Sequence, residues 1–336
     1  MKRCTRIGLN VTKSCNWRCN TCFYKHEQGF FTPEHETLQS MVSQVEKAKQ
    51  RGLDHVVLVG YGEPTLWPHL PEFVKQCKAI GMASSIITNG TATPAFYESL
   101  YADGLDHIHI SVHGKGDVLN KIAHSQVAAE KQAEVLKWLK QADLPWRSNT
   151  TLQLDNYQTL PEITEYVLDH RCKHVVLLGF LPHYGWHNRL REVAVEPAAL
   201  RPFIEDSMDK VINRHQWLTL RYHPMCHLRT DLWKYVTNAD FVLLDPGEWE
   251  YNNSATMLDE NLKKAAWELG QNVAIKTEPC TSCDLYKHCG GWNATYAAGF
   301  DGAALQPLKC GEYPQSFGYL WYQNPFNTEF KGHFAI

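Results

Sequence analysis

Arg6-Ile7-Gly8-Leu9-Asn10-Val11-Thr12, followed two residues later by Cys15-Asn16-Trp17-Arg18-Cys19-Asn20-Thr21-Cys22, decides the reading of this chain. The first run predicts a strand, and the loop behind it carries three cysteines spaced C-x3-C-x2-C. Working outward, Pro33–Arg51 sets Leu38, Met41, Val42, Val45 and Ala48 on one face at helical spacing. Asp54–Val59 predicts a buried strand that ends in Gly60-Tyr61-Gly62-Glu63-Pro64. Helices are then expected near Leu70–Gly81, Pro94–Asp103, Ser125–Asp143, Leu160–His170 and Glu196–Arg214. Strands are expected near Ser84–Thr88, His107–Val112, Arg147–Leu152 and His174–Phe180. Six strand–helix repeats imply a parallel sheet with right-handed crossovers. The expected fold is α/β: a partial (β/α)6 TIM-like barrel over residues 1–217, with a C-terminal cluster-binding extension over 218–336. In the extension the alternation gives way to aromatic residues, Asn, Gly and cysteines.

Composition narrows the function classes. Apolar residues make up 44% and charged residues 21% of the 336, which excludes disordered and low-complexity chains. A net charge of -3 offers no electrostatic footprint for nucleic acid. No apolar run approaches the roughly 18 residues of a membrane span, and none follows Met1 as a signal peptide. A soluble, cytoplasmic protein with no membrane or nucleic-acid partner is expected. The 11 cysteines are too unevenly spread for a disulfide scaffold, and clustered thiols in a reducing compartment point to metal or iron–sulfur ligation.

Three thiolates on one loop can hold three corners of a four-iron cluster and leave the fourth iron open. A zinc site there would take a fourth ligand, for which His26 is placed. The loop follows the first strand of a β/α array, at the face where such folds carry their chemistry. On these residues the chain resembles the radical S-adenosylmethionine (SAM) superfamily over roughly residues 5–215. C-x3-C-x2-C matches that family's signature, and Gly60-Tyr61-Gly62-Glu63-Pro64 is similar to its Gly-Gly-Glu-Pro motif, with Tyr61 in place of the second glycine. Thr21 stands where the family usually has an aromatic residue, though Phe23 and Tyr24 follow. The resemblance implies that Cys15, Cys19 and Cys22 bind a [4Fe–4S] cluster and that Gly60, Tyr61, Gly62 and Glu63 hold the amino group of SAM. It implies contacts from Ser111 and Asn149 to the SAM carboxylate or ribose, and an external electron donor of the flavodoxin or ferredoxin type. Thr88-Asn89-Gly90 and His113, at the ends of the third and fourth strands, are weaker pocket candidates.

Cys280-x2-Cys283-x5-Cys289, with Cys310 twenty residues on, supplies four thiolates, enough to close a structural zinc site or a fully ligated [4Fe–4S] cluster. Joined to the first motif, this spacing resembles the SPASM auxiliary-cluster region in its shorter, twitch-like form. Asn293 stands where a full SPASM run has a further cysteine. The resemblance therefore implies one auxiliary cluster on Cys280, Cys283, Cys289 and Cys310.

Cys226, in His223-Pro224-Met225-Cys226-His227, remains. Three readings are open: a buried thiol, a cluster ligand, or a catalytic hydrogen-atom donor that quenches a substrate radical. Cys4, Cys77 and Cys172 are expected in the core or on the surface. The aromatic and basic loop of His183, Tyr184, Trp186, His187 and Arg189 is a candidate substrate-facing segment.

The family resemblance implies reductive cleavage of SAM to a 5′-deoxyadenosyl radical and abstraction of a substrate hydrogen. The main expectation is modification of a ribosomally made peptide by epimerisation, crosslinking or backbone excision. The alternative is an aminoglycoside or nucleoside epimerase or dehydrogenase, and a remote alternative is a non-catalytic zinc scaffold. Fourteen residues precede Cys15, so no N-terminal peptide-recognition module is expected. A peptide substrate would then dock directly or through a separate leader-peptide-binding protein.

Overall fold

The computed structural model describes residues 6–22, 35–59, 62–180, 182, 189–237, 249–250, 274–287, 291–300 and 305–307. Strands and helices alternate from the start. Arg6–Leu9 (β1) leads to Leu38–Gln50 (α1), then His55–Leu58 (β2), Leu70–Ile80 (α2), Ala83–Thr88 (β3), Pro94–Asp103 (α3) and His107–Ser111 (β4). Two helices follow, Asp117–Ala123 (α4) and Ala128–Gln141 (α5), before Trp146–Thr151 (β5), Leu160–Asp169 (α6) and His174–Leu178 (β6). Leu190–Val193 (α7) and Pro197–Asn213 (α8) lead to a further strand, Trp217–Arg221 (β7). Short strands Val236–Thr237 (β8) and Trp249–Glu250 (β9) lie at the two edges, giving the order β8-β7-β6-β5-β4-β3-β2-β1-β9. The smaller elements Ala274–Ile275 (β10), Trp292–Asn293 (β11) and Ala294–Gly299 (α9) lie in the C-terminal region.

Every pairing in the large sheet is parallel. Seven strands, β1 to β7, curl into a half-barrel. The expected six repeats are present, and the sheet runs on across residue 217, because Trp217–Arg221 pairs in register with His174–Leu178. The expected helix over Ser125–Asp143 is α5 alone. The separate helix α4 ends at His124, whose left-handed backbone (φ 49) breaks the path between the two. α1 starts where Thr37 accepts the Ser40 N–H, an N-cap that sets its start at Leu38 rather than at the expected Pro33.

The two faces of the sheet differ. Ile7, Val56, Leu58, Ile86, Ile108, Ile110, Trp146, Val175, Leu218 and Leu220 pack with helix residues such as Phe73, Leu100, Leu136 and Ile204 into one apolar core. The alternate positions carry buried polar groups: His55, Ser85, His109, Arg147, Asn149, His174 and Arg221. Two of these pair across strands, His55 Nε2 with Ser85 Oγ and His174 Nε2 with Thr219 Oγ1, each at 2.9 Å. A parallel strand buried on both faces usually reads as a continuous apolar run. Here one buried face is polar. Among the described residues no helix is long and apolar enough to cross a membrane.

Candidate functional site

β1 delivers the chain to the cysteine loop, and the loop is held from two sides. Ser14 N–H donates to Thr12 Oγ1 at 2.9 Å, and Cys22 N–H closes a turn on Cys19 O at 3.1 Å. Trp17 is buried against Leu119, Ala123 and Ala128, with Cys15 and Cys19 packed around it. Arg18 N–H and Asn20 N–H donate to Ala123 O and Ile122 O at 2.9 and 3.2 Å. The last carbonyls of α4, which lack partners within the helix, thus dock the loop. Asn20 also bridges His124 and Asp155, at 2.5 and 2.8 Å. No sequence signal marked α4, because its seven residues are too few to show a clear apolar stripe.

The second side is the Gly62–Glu63 segment at the end of β2. Glu63 N–H donates to Ser14 O at 2.7 Å, and a Cβ on Gly62 would overlap Ser14 O. Only glycine allows the two backbones to lie this close. The Glu63 carboxylate is buried. Its Oε1 accepts from Thr65 N, Thr65 Oγ1 and Thr88 Oγ1, at 3.1, 2.8 and 2.6 Å, and Oε2 accepts from Asn89 N at 2.7 Å. Asn89 in turn donates through Nδ2 to Asn16 Oδ1 at 2.6 Å, and Asn16 donates to Thr91 Oγ1 at 2.8 Å. The cysteine loop and the ends of β2 and β3 therefore form one hydrogen-bonded unit. Burial raises the pKa of Glu63, partly opposed by the hydrogen bonds from Asn89, Thr88 and Thr65. Burial, followed by the charges of Glu63 and Cys22, pushes the Cys15 thiol up to about 12.

These residues fit an iron–sulfur group. Cys15, Cys19 and Cys22 are partly exposed, and none of the three is in a disulfide. A neighbouring cation reverses the cost of the thiolate form that burial and Glu63 impose on Cys15. Among the described residues no three His, Cys, Asp or Glu side chains close on one point as the ligands of a single ion do. A four-iron cubane takes each thiolate on a different iron, so its ligands stand further apart.

Ser111 and Asn149 are register partners on β4 and β5. Asn149 is buried and its Oδ1 accepts from Arg147 Nε at 3.0 Å, on the polar face. Gln132, from α5, was not singled out in the sequence. Its Nε2 donates to Asn89 O and Ser111 O, at 2.7 and 3.1 Å, and so joins the ends of β3 and β4. His113 Nδ1 accepts from Thr151 N at 3.2 Å, and burial lowers the ring's pKa to about 4. The proton of this neutral ring therefore sits on Nε2. Gly60 and Tyr61 lie outside the described residues, as do His26, Cys289, Cys310 and the loop residues His183, Tyr184, Trp186 and His187.

Cys226, Cys280 and Cys283 are brought together elsewhere, on the wall of one cavity near the end of β7. Cys283 N–H bonds to Cys280 O at 2.9 Å, closing the C-x2-C turn. Asn293 caps α9, its Oδ1 accepting from Tyr296 N at 3.0 Å. Tyr296 also ties the C-terminal region to the barrel: Val195 N–H donates to its hydroxyl oxygen at 3.1 Å, and its hydroxyl donates to Val195 O. Cys77 and Cys172 are fully buried core thiols.

A profile of the radical SAM superfamily matches residues 9–167, the span that contains the cysteine loop, Glu63 and the polar face of β2 to β5. A PqqA peptide cyclase of Methylorubrum populi is 29% identical over 201 residues, 58% of this chain and 50% of the relative, so the chain spans about half that protein's length. An S-adenosylmethionine-dependent nucleotide dehydratase of Flammeovirga pacifica is 23% identical over 282 residues, 79% of this chain and 91% of the relative. Among solved structures, native anSMEcpe with bound AdoMet and Cp18Cys peptide superposes with a TM-score of 0.60 at 16% identity, covering 96% of this chain and 97% of that one. The half-barrel shares the fold of that structure, and residues 9–167 match the radical SAM superfamily as a domain.

Proposed function

We propose that this chain is a radical SAM enzyme that modifies a peptide, with Cys15, Cys19 and Cys22 holding a [4Fe–4S] cluster and an auxiliary cluster in the C-terminal region. The observation that carries the reading is the single hydrogen-bonded unit formed by the cysteine loop, Gly62–Glu63 and Thr88–Asn89 at the carboxyl ends of three adjacent parallel strands. Ligands bind at that end of open and barrel-like parallel sheets. When bound and reduced by an external donor, the cluster and SAM supply a 5′-deoxyadenosyl radical that takes a hydrogen atom from substrate.

The chain's own residues position and shield. The Gly62 and Glu63 backbone, fixed on Ser14, presents an edge to the amino group of SAM. Ser111 and Asn149 face the same mouth from β4 and β5, with Gln132 holding the end of β4 in place. The neutral His113 offers a fixed Nε2–H donor there. The polar face of the half-barrel beneath suits a substrate rich in amides or hydroxyls. A peptide is favoured by the likeness to a peptide cyclase and to a fold neighbour holding a peptide. A nucleotide is the second reading, supported by the longer but weaker likeness to the nucleotide dehydratase.

Isotope transfer separates the two. Anaerobically reconstituted enzyme, SAM and reductant are given peptide or nucleotide fractions from cells grown in deuterated medium. Deuterium in 5′-deoxyadenosine from the peptide fraction is expected; label from the nucleotide fraction alone selects the second reading. Formation of 5′-deoxyadenosine by a variant with Cys15, Cys19 and Cys22 all changed to Ala would falsify the cluster assignment.

A further inference from the structure

The four cysteines Cys280, Cys283, Cys289 and Cys310 suffice by count for an auxiliary cluster, which leaves Cys226 without a role. The structure sets it on the same wall as two of them. One cavity is lined by Cys226, Cys280 and Cys283 together, with Lys276 and Tyr286 beside them.

Cys226 is held there by its own segment. It sits at the centre of a short 3-10 turn, Met225–His227, just beyond β7. Trp233 Nε1 donates to Met225 O at 3.0 Å and to Leu228 O at 3.3 Å, and fixes the turn. Met225 and His227 are buried, whereas Cys226 is partly exposed and faces the cavity. Cys77 and Cys172, by contrast, are fully buried in the main core. Cys226 and Cys280 also pack against the same apolar cluster, around Phe180, Leu190 and Trp292. Lys276, its ammonium 4.6 Å from the Tyr286 ring, lines the same cavity. Soft donors from two distant stretches of chain, converging on one cavity, suit a thiophilic iron–sulfur group.

We infer that Cys226 is a ligand of the auxiliary cluster, shared with Cys280 and Cys283, so that the cluster staples the end of β7 to the C-terminal cysteine turn. The inference rests on the auxiliary-cluster reading above. It removes Cys226 from the role of hydrogen-atom donor. It also changes the ligand count. A cubane offers four irons, so one of Cys289 and Cys310 drops out of the set that sequence spacing alone suggests.

The test uses full-length protein in which Cys15, Cys19 and Cys22 are Ala, so that only the auxiliary site takes up iron. After anaerobic reconstitution this background should hold about four irons. Adding Cys226→Ala should remove most of that iron or leave a three-iron centre visible by EPR in the oxidised state. Cys280→Ala and Cys283→Ala should do the same, and one of Cys289→Ala and Cys310→Ala should not. Cys226→Ser, which keeps the side chain's size and offers an oxygen ligand, should retain iron and change the EPR spectrum of the reduced cluster. Four irons and an unaltered spectrum in both Cys226 variants would overturn the inference while leaving the auxiliary cluster in place. A background protein that takes up no iron overturns the auxiliary-cluster reading itself.

Discussion

Glu63 and Asn89, at the ends of β2 and β3, are joined by a 2.7 Å hydrogen bond from the Asn89 backbone N–H to Glu63 Oε2. With three further donors on Oε1, the carboxylate acts first as a brace between strands. Glu63→Gln turns one acceptor into an amide donor facing a backbone N–H or hydroxyl donors. The expected cost is ~1–3 kcal/mol, the penalty of a buried polar group left without its partner. Urea unfolding should register that loss, and calorimetry should show SAM binding weakened in parallel. Unchanged stability would mean that the carboxylate is not bracing the strands.

Gly62 and Ser14 approach too closely for any side chain. Gly62→Ala therefore has to move either the cysteine loop or the end of β2, both of them backbone and neither able to yield as a flexible side chain can. Such overpacking costs ~1–3 kcal/mol. Because the displaced segment carries Cys15, iron bound at the first site should fall while iron at the C-terminal site holds. Iron analysis of the variant against wild type reads this directly.

Much of this site was legible in the sequence. The cysteine spacing and Gly62–Glu63 stood out because each follows a strongly apolar strand, and period-2 and period-3.6 patterns locate such strands and helices well. The brace was not legible, since Thr88 and Asn89 meet Glu63, and Asn16 meets Asn89, only after three strands have paired. Nor was the polar inner face: His55, His109 and His174 look like ordinary surface alternation until the sheet curls over them. β7 was hidden because Trp217–Arg221 opens a segment whose later residues lose the alternation. The meeting of Cys226 with Cys280 depends on packing between distant segments, which no local spacing encodes.

Gln132 joins Asn89 O to Ser111 O across the tops of β3 and β4. Gln132→Met keeps the length of the side chain and removes the donor, leaving two carbonyl oxygens without it. A loss of ~1–3 kcal/mol is expected. If Ser111 contacts SAM, the affinity for SAM should fall as well, with iron content unchanged. Loss of stability with unaltered SAM affinity would place Ser111 outside the binding site.

His113 provides a test in pH. Its folded pKa is lowered to about 4 by burial, against the ordinary 6.5 that the unfolded chain recovers. Between those values the unfolded state binds a proton that the folded state does not, so stability falls as pH drops below 6.5 and the loss levels off below about 4. At about pH 5 this one residue should remove roughly 2 kcal/mol relative to pH 7, since each unit of difference is worth ~1.4 kcal/mol. His223, lowered to about 3 by burial and by His227, adds a similar slope, so the informative quantity is a difference between proteins. His113→Asn can still accept the Thr151 N–H through its side-chain oxygen, and it does not titrate. Urea unfolding of wild type and His113→Asn at both pH values should show the variant losing less on acidification. Equal losses would mean that His113 is solvated at the barrel mouth and free to take up a proton, which would remove the fixed Nε2–H donor from the proposed site.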